Sequence, residues 1–524
     1  MRKKEFSSSL NLLVKASAIV FIGVAISKIL GYVYRIIIAR YYGPEVYGLF
    51  SLALMISGWF IAVSALGFSE GLIRFISFYR GKKDGKKIKY LFKFGVATLI
   101  ITSISAGIIL FFLSNWISSA FFHNAALAIY LKIFSVIVPV TVLCYPFLAA
   151  LRAHEEIGWY SFIYNVAQNV IKVSFLALFA IIGLGSRGVS FSYLAGIFGM
   201  LVISYWVCKY KIPHIFNLSK LPKHEKSLLR KELLIYSVPI LLYGIVSLIF
   251  YWIDSFSIGY YKGAVEVGLY NAAVPIATLL AVAPELFMQL FFPLITKEYS
   301  RKNMKLIEQL SKQVAKWILL VDIPLFVMML VFPGAVINIL FGAKYLAAEN
   351  ALRILSISAL MNSVLVVTNQ LTFMSGRSNI ILFNIAITSA INFVLNSIFV
   401  PMQKIWFIEN SLGMNGAALA TLISMIIFNI LFLAEVYYFL KIIPLRRKML
   451  NLFVIAIIPA VLLVYLRTLI TSNSIIVLAV LGAGFVLVYA LLILLSGALD
   501  ENDWEVIKNI ARKIKSNFLQ IKIS

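Results

Sequence analysis

GYVYRIIIARYYGPEVYGLFSLAL, residues 31–54, places two long apolar runs around a short turn and carries Arg35 inside the first. Runs of that length cross the hydrocarbon of a bilayer as helices, so the stretch reads as a membrane hairpin. A second copy, FYWIDSFSIGYYKGAVEVGLYNAAV, lies at residues 250–274. Tyr41-Tyr42 matches Tyr260-Tyr261, and Gly48-Leu49-Phe50 matches Gly268-Leu269-Tyr270. Arg35 and Asp254 each stand six residues before their Tyr-Tyr pair, so the copies carry opposite charges at one position.

The correspondence continues along the chain. Tyr164-Asn165-Val166-Ala167 resembles Phe383-Asn384-Ile385-Ala386, and Leu184-Gly185-Ser186-Arg187-Gly188 resembles Leu412-Gly413-Met414-Asn415-Gly416. Six spans precede the linker in one copy and six follow it in the other. An even number gives both copies the same direction through the membrane, a parallel repeat whose substrate site lies between the halves. The expected fold is therefore an all-α integral membrane protein of about fourteen transmembrane helices. Two six-helix lobes, 1–208 and 233–440, surround a central cavity and are joined by a cytoplasmic loop at 209–232. Residues 441–524 add spans thirteen and fourteen and a basic cytoplasmic tail.

Composition supports the membrane assignment. Of 524 residues, 62% are hydrophobic and 13% charged, more apolar surface than a soluble domain hides. Nothing alternates over the length that an outer-membrane barrel requires. The net charge of +26 would suit nucleic acid, but the charges are sorted by side. With the N-terminus inside, Lys and Arg favour inner segments over outer loops by roughly five to one, as the positive-inside rule requires. Both termini are thus expected in the cytoplasm, in a multi-pass protein of the cell membrane. The basic loops at 81–89 and 220–231 set topology and meet anionic headgroups of membrane lipids. They lack the interleaved aromatics that stack bases, so no nucleic acid is expected. Lys15 and Lys28 interrupt the first apolar run, which reads as an uncleaved span rather than a signal peptide. Cys144 and Cys208 fall in spans and form no disulfide framework. The four histidines are scattered, so no metal site is expected.

Charges inside spans are costly and mark cavities or partners. Lys28 and Arg35 lie seven residues apart, about 20° around a helix, with Tyr32 on the same side. Lys172 lies deep in the fifth span. Asp254, Glu285 and Asp322 fall in spans seven, eight and nine, so cations mark the first half and acids the second. One reading is a water-filled cavity whose cations hold an anionic headgroup, Arg through its planar fork and Lys as a point charge. The other is structural: ion pairs between halves, such as Arg35 with Asp254, or snorkelling near span ends. Arg74, after the second span, is either a further substrate contact or a topology charge. Glu70 and Glu285 are helix-end or coupling-ion carboxylates. Pro275, Pro284, Pro293 and Pro324 interrupt spans eight and nine, as packing kinks or hinges. No P-loop is present, so no ATP motor is encoded in this chain. No nucleophile elbow stands out, and the outer loops leave no room for a soluble catalytic domain.

SKILGYVYRIIIARYYGPEVYGLFSLAL at 27–54 and LGFSEGLIRFIS at 66–77 resemble the start of prokaryotic polysaccharide-biosynthesis flippases. These belong to the multidrug/oligosaccharidyl-lipid/polysaccharide exporter superfamily. LFGAKYLAAENALRILSIS at 340–358 and LGMNGAALATLIS, which begins at Leu412, look like segments of the same family. The resemblance covers nearly the whole chain and rests on the order and spacing of several segments. It implies two six-helix bundles around a V-shaped cavity, alternating access, and no enzyme activity. It also implies a substrate, a sugar unit on polyprenyl phosphate or pyrophosphate moved from the inner to the outer leaflet. Cavity cations in the family make Lys28 and Arg35 the natural candidates. No cofactor is implied beyond a coupling ion, H+ or Na+, and polysaccharide-assembly proteins are candidate partners. The alternative is an ion-coupled multidrug or small-molecule exporter of the same fold, whose cavity would favour acids and aromatics. A membrane glycosyltransferase would need catalytic acids on a larger outer loop.

Overall fold

The computed structural model describes residues 2–217, 221–403, 412–469, 475–499 and 503, with side chains from Ile22 onward except at 290, 378, 447–448, 468–469 and 475. The side chain of Lys15, most of the outer loop expected at 401–414 and the basic tail apart from Asp503 lie outside the described residues. The helices in chain order are α1 (Arg2–Ala65), α2 (Phe68–Gly81), α3 (Gly85–Ala120), α4 (Ala126–Ala153), α5 (Ile157–Ser161) and α6 (Gln168–Ile182). They continue with α7 (Arg187–Lys211), α8 (Lys223–Tyr261), α9 (Ala264–Ala277), α10 (Val282–Ser300), α11 (Met304–Val331) and α12 (Pro333–Leu340). The last are α13 (Glu349–Met374), α14 (Ser378–Phe399), α15 (Gly413–Leu440), α16 (Arg447–Leu469) and α17 (Ile475–Leu495). Among the described residues there is no strand.

Among the described residues thirteen helical segments are long and apolar enough to cross a membrane. The first of them, Ile22–Gly81, is broken at Gly43, where φ is 85° and Pro44 follows, and so holds two spans. That gives the fourteen spans the sequence predicts. The matching turn of the second hairpin is Gly263, at φ 89°. Left-handed backbone is costly for any residue with a Cβ, so glycine at both turns is a conformational requirement of the repeat.

Compactness divides the chain into two units. The first comprises Met1–Pro275, Phe341–Ala348 and Ile385–Ala420. In it α4 packs against α1, α3 and α7. Lipid tails are as apolar as leucine, so close backbone approach and dispersion hold such helices together. The buried face of α3 accordingly carries Gly95, Ser103, Gly107, Ser114 and Ser118, and a Cβ on Gly107 would stand 2.6 Å from the Ser135 carbonyl of α4. The two hairpins meet in this unit through their matched glycines. A Cβ on Gly48 would overlap the Ala264 carbonyl, and one on Gly268 would overlap the Pro44 carbonyl. The same positions would lie 2.9 Å from the Gly268 nitrogen and 3.1 Å from the Gly48 nitrogen. The contact is reciprocal, as a two-fold relation between repeats demands.

The second unit comprises Ile276–Leu340, Glu349–Asn384 and Thr421–Ser524. In it α11 packs against α10, α13 and α16. Lys316 of α11 is fully buried and pairs with Asp503 at 2.5 Å. Trp317 donates its indole N–H to the same carboxylate at 2.7 Å, and Gln313 donates its amide. A buried pair holds only when further donors satisfy it; this one has two.

Candidate functional site

Arg35 projects from α1 among tyrosines. Its guanidinium interacts electrostatically with Tyr47, Tyr251 and Tyr32. Tyr47 spends its proton on the Asn271 carbonyl at 3.0 Å, and Tyr32 donates to the Pro275 carbonyl at 2.6 Å. The Tyr47 oxygen is thereby left as an acceptor for Arg35. Among the described residues Arg35 faces no carboxylate.

Lys172 of α6 lies 5.1 Å above the ring of Tyr193 and 5.6 Å above that of Tyr34. Gly196 of α7 makes room for its stem, since a Cβ there would overlap Lys172 Cγ. Tyr34 is fixed in turn by donation to the Val189 carbonyl at 2.9 Å. Lys172 and Arg35 stand close enough to repel one another, and among the described residues no acid acts on Lys172. Two cations from different helices thus share one tyrosine-lined place, with no counter-charge among the described residues. That arrangement stores electrostatic free energy which a bound anion releases.

The helix carrying Lys172 is specially built. A π-helical stretch, Phe162–Ala167, joins α5 to α6, a distortion common at functional sites. Asn169 of α6 donates to Ser27 of α1 at 3.0 Å, which ties the two cation-bearing helices together beside Lys28. Lys28 is half-buried on the same helix as Arg35.

The remaining candidates lie elsewhere. Arg74 is exposed and stacks 4.1 Å over Tyr236 of α8. Glu70 pairs with Arg152 at 3.0 Å, with side chains 50% and 39% exposed, a surface bridge that contributes about 0–1 kcal/mol. Glu285 is exposed on α10. Asp254 is buried on α8 and receives Tyr270 Oη at 2.5 Å, Asn396 Nδ2 at 2.9 Å and Asn392 Nδ2 at 3.4 Å. Arg35 and Asp254 thus do not form the interlobe pair considered above, and Asp254 receives hydrogen bonds from Tyr270, Asn392 and Asn396. Asp322 is fully buried on α11; among the described residues neither of its oxygens has a partner within hydrogen-bond geometry, with Ser363 near it. Among the described residues no cluster of His, Cys, Asp or Glu could hold a metal ion.

Sequence reasoning placed Tyr32 beside Arg35 but missed Tyr34, Tyr47, Tyr193 and Tyr251 and the Asn392/Asn396 pair. The latter carried a signal, because residues four apart share a helix face. Lys316, not singled out from the sequence, is fully buried.

The model of the polysaccharide biosynthesis protein family matches residues 13–298, and the MatE model matches residues 239–398. The lipid II flippase MurJ of Bacillus subtilis is 24% identical over 444 residues, 78% of this chain and 79% of the relative. A solved structure of lipid II flippase MurJ in an inward closed conformation matches with a TM-score of 0.68 at 18% identity, over 90% of this chain and 97% of that one. An inward-facing multidrug resistance MATE family transporter of the MOP superfamily matches with a TM-score of 0.66 at 14% identity, over 79% and 94%. The hairpin repeat, the all-helical fold and the family match agree: the fold is that of the solved lipid II flippase and MATE structures, and the chain belongs to the polysaccharide biosynthesis protein family.

Proposed function

We propose that this transporter flips a polyprenyl-(pyro)phosphate-linked oligosaccharide from the cytoplasmic to the outer leaflet of the cell membrane, for cell-surface glycan assembly. The observation that carries the reading is the pair Arg35 and Lys172, two cations held close together by tyrosines with no acid between them. A phosphate suits both, taking forked hydrogen bonds from the guanidinium and charge from the ammonium. Tyrosine rings and hydroxyls suit sugars, which offer C–H faces and hydroxyl groups. Lys28, on the same helix as Arg35, extends the cationic stripe.

In the proposed cycle the headgroup enters from the cytoplasmic side while the lipid tail stays in the membrane. Phosphate neutralises the cations, which lowers the electrostatic cost of closing the site to water. Alternating access then opens the other side. Both termini lie in the cytoplasm on this reading, and Gly48 and Gly268 close the outer ends of the hairpins. A coupling ion, H+ or Na+, would be held at Asp254, whose neighbours Asn392 and Asn396 add amide oxygens, with Asp322 a second carboxylate able to hold a proton.

The alternative, an ion-coupled exporter of organic cations, is favoured by the MatE match over residues 239–398 and by buried Asp322. Proteoliposomes separate the two. With a fluorescent polyprenyl-phosphate-linked sugar and an outside quencher, flipping should be protein-dependent and should fail in Lys28→Ala/Arg35→Ala. Normal flipping by that double variant would falsify the cation site. No flipping of any headgroup, together with gradient-driven efflux of a cationic dye, selects the exporter.

A further inference from the structure

A second place in the molecule joins a carboxylate to an aromatic crevice. Glu435 of α15 is half-buried, and Asn384 of α14, only 1% exposed, donates to both of its oxygens at 2.9 Å. Beside it opens a crevice of about 520 Å³ lined by Asn379, Phe383, Glu435, Tyr438 and Phe439. Among the described residues Glu435 has no other hydrogen bond and no ion pair.

The position along the helices matters. Glu435 stands five residues before the end of α15, and Asn379 lies in the first turn of α14. At 1.5 Å per residue Glu435 is roughly 7.5 Å from the helix end. Phe383 is 62% and Tyr438 70% exposed, so the crevice opens on the outer surface of its own helix pair. Cations mark its rim. Arg377 lies 3.6 Å over the ring of Phe439, and Lys441 lies 5.6 Å over that of Tyr438.

A half-buried carboxylate is costly unless a cation meets it, and none of the described residues lining the crevice is a cation. Asn384 satisfies one side of the carboxylate and fixes its plane, which leaves acceptor positions turned toward the opening. Aromatic faces around it attract an organic ammonium through their quadrupoles. The rim has the opposite charge and suits a phosphate. One acid within and two bases at the edge form the complement of a zwitterion whose ammonium leads and whose phosphodiester follows.

We propose that the Glu435 crevice is a binding site for a zwitterionic membrane phospholipid with a primary ammonium headgroup. The ammonium bonds Glu435, and the phosphodiester meets Arg377 and Lys441. The acyl chains lie along the exposed aromatic surface of α14 and α15. Bound there, the lipid braces these two helices against one another. The site stands on α14 and α15 alone and does not depend on the reading of Arg35 and Lys172.

Native mass spectrometry of the delipidated full chain tests it, with short-chain phosphatidylethanolamine, phosphatidylglycerol and phosphatidylcholine as probes. Phosphatidylethanolamine should be retained at one copy about tenfold better than phosphatidylglycerol, a difference of about 1.4 kcal/mol. Glu435→Gln keeps the size of the side chain and should abolish that preference, whereas Arg377→Gln should weaken all three lipids together. Phe383→Ala removes an exposed ring without touching Glu435 or Asn384 and should weaken phosphatidylethanolamine several-fold. A Glu435→Gln protein that keeps the preference shows that Glu435 is simply protonated and overturns the site. Should that variant fail to fold, Phe383→Ala with unaltered binding overturns it equally. Glycerophosphoethanolamine retained as well as the lipid would identify a soluble amine phosphate as the ligand and would overturn the membrane source.

Discussion

The two hairpins share a backbone and treat their charges in opposite ways. Gly43 and Gly263 make the same left-handed turn, and Gly48 and Gly268 pack on each other's partner strand of chain. Yet Arg35 and Asp254, at matched positions, stand in different chemistry. A guanidinium has five donors, and two tyrosine oxygens meet Arg35. A carboxylate accepts at about four positions, and Tyr270, Asn392 and Asn396 fill three at Asp254. One copy thus keeps unspent donors beside a second cation, while the other surrounds its anion with donors. The repeat supplies a symmetric frame, and the side chains around it leave one hairpin's cation among tyrosines and give the other hairpin's anion hydrogen-bond donors.

The frame is the part most easily broken. Gly48→Val or Gly268→Val drives a side chain into a backbone carbonyl, which cannot move aside as a flexible side chain does. Overpacking of this kind costs about 1–3 kcal/mol in a core, and here it also parts the hairpins. Transport in proteoliposomes should fall to background in both variants. A labelling reagent should reach cysteines placed at Tyr41 and Tyr260 more readily than in the parent. Normal flipping by either valine variant would show that the hairpins need not meet.

The charges should respond with opposite signs in stability. Lys172→Met removes a repulsion from Arg35, so thermal unfolding in detergent should shift upward while headgroup affinity falls about ten- to hundredfold, or about 1.4–2.8 kcal/mol. Arg35→Gln should lower affinity similarly. Asp254→Ala should do the reverse to stability, because it strands the Tyr270 hydroxyl and two amide donors at about 1–3 kcal/mol for an unsatisfied buried group. Asp254→Asn should fall between them. A Lys172→Met protein less stable than its parent would place that lysine among structural cations instead.

These contrasts also mark what could be read without coordinates. The spans were legible because a stretch long enough to cross a bilayer is a local property, and because Lys and Arg sort by side. The hairpin repeat was legible because turn geometry and close approach admit only glycine at Gly43, Gly48, Gly263 and Gly268. Arg35 and Lys172 stood out as charges in apolar runs. Their partners did not, since any of 26 tyrosines could have met them and only packing selects Tyr34, Tyr47, Tyr193 and Tyr251. The pair Lys316–Asp503 lies beyond such reading for the same reason: nothing local links α11 to a residue after α17. Asp254 invited pairing with Arg35 by symmetry, and neutral donors on α9 and α14 took it instead.

The smallest expected effect separates the two knots most finely. Tyr270→Phe removes one short hydrogen bond to Asp254, and Tyr47→Phe removes one to the Asn271 carbonyl together with the hydroxyl beside Arg35. Each loss should lower stability by about 1 kcal/mol, the net worth of an ordinary buried hydrogen bond, so stability alone will not tell them apart. Transport should. If Asp254 holds a coupling ion, Tyr270→Phe leaves a carboxylate with fewer donors and more need of a cation, and the cation concentration for half-maximal flipping should drop several-fold. Tyr47→Phe should leave that concentration unchanged and instead alter the substrate concentration at half-maximal rate, because it frees another Arg35 donor for phosphate. If both variants shift the same parameter, the two hairpins are not functionally distinct, and the asymmetry between Arg35 and Asp254 is one of packing alone.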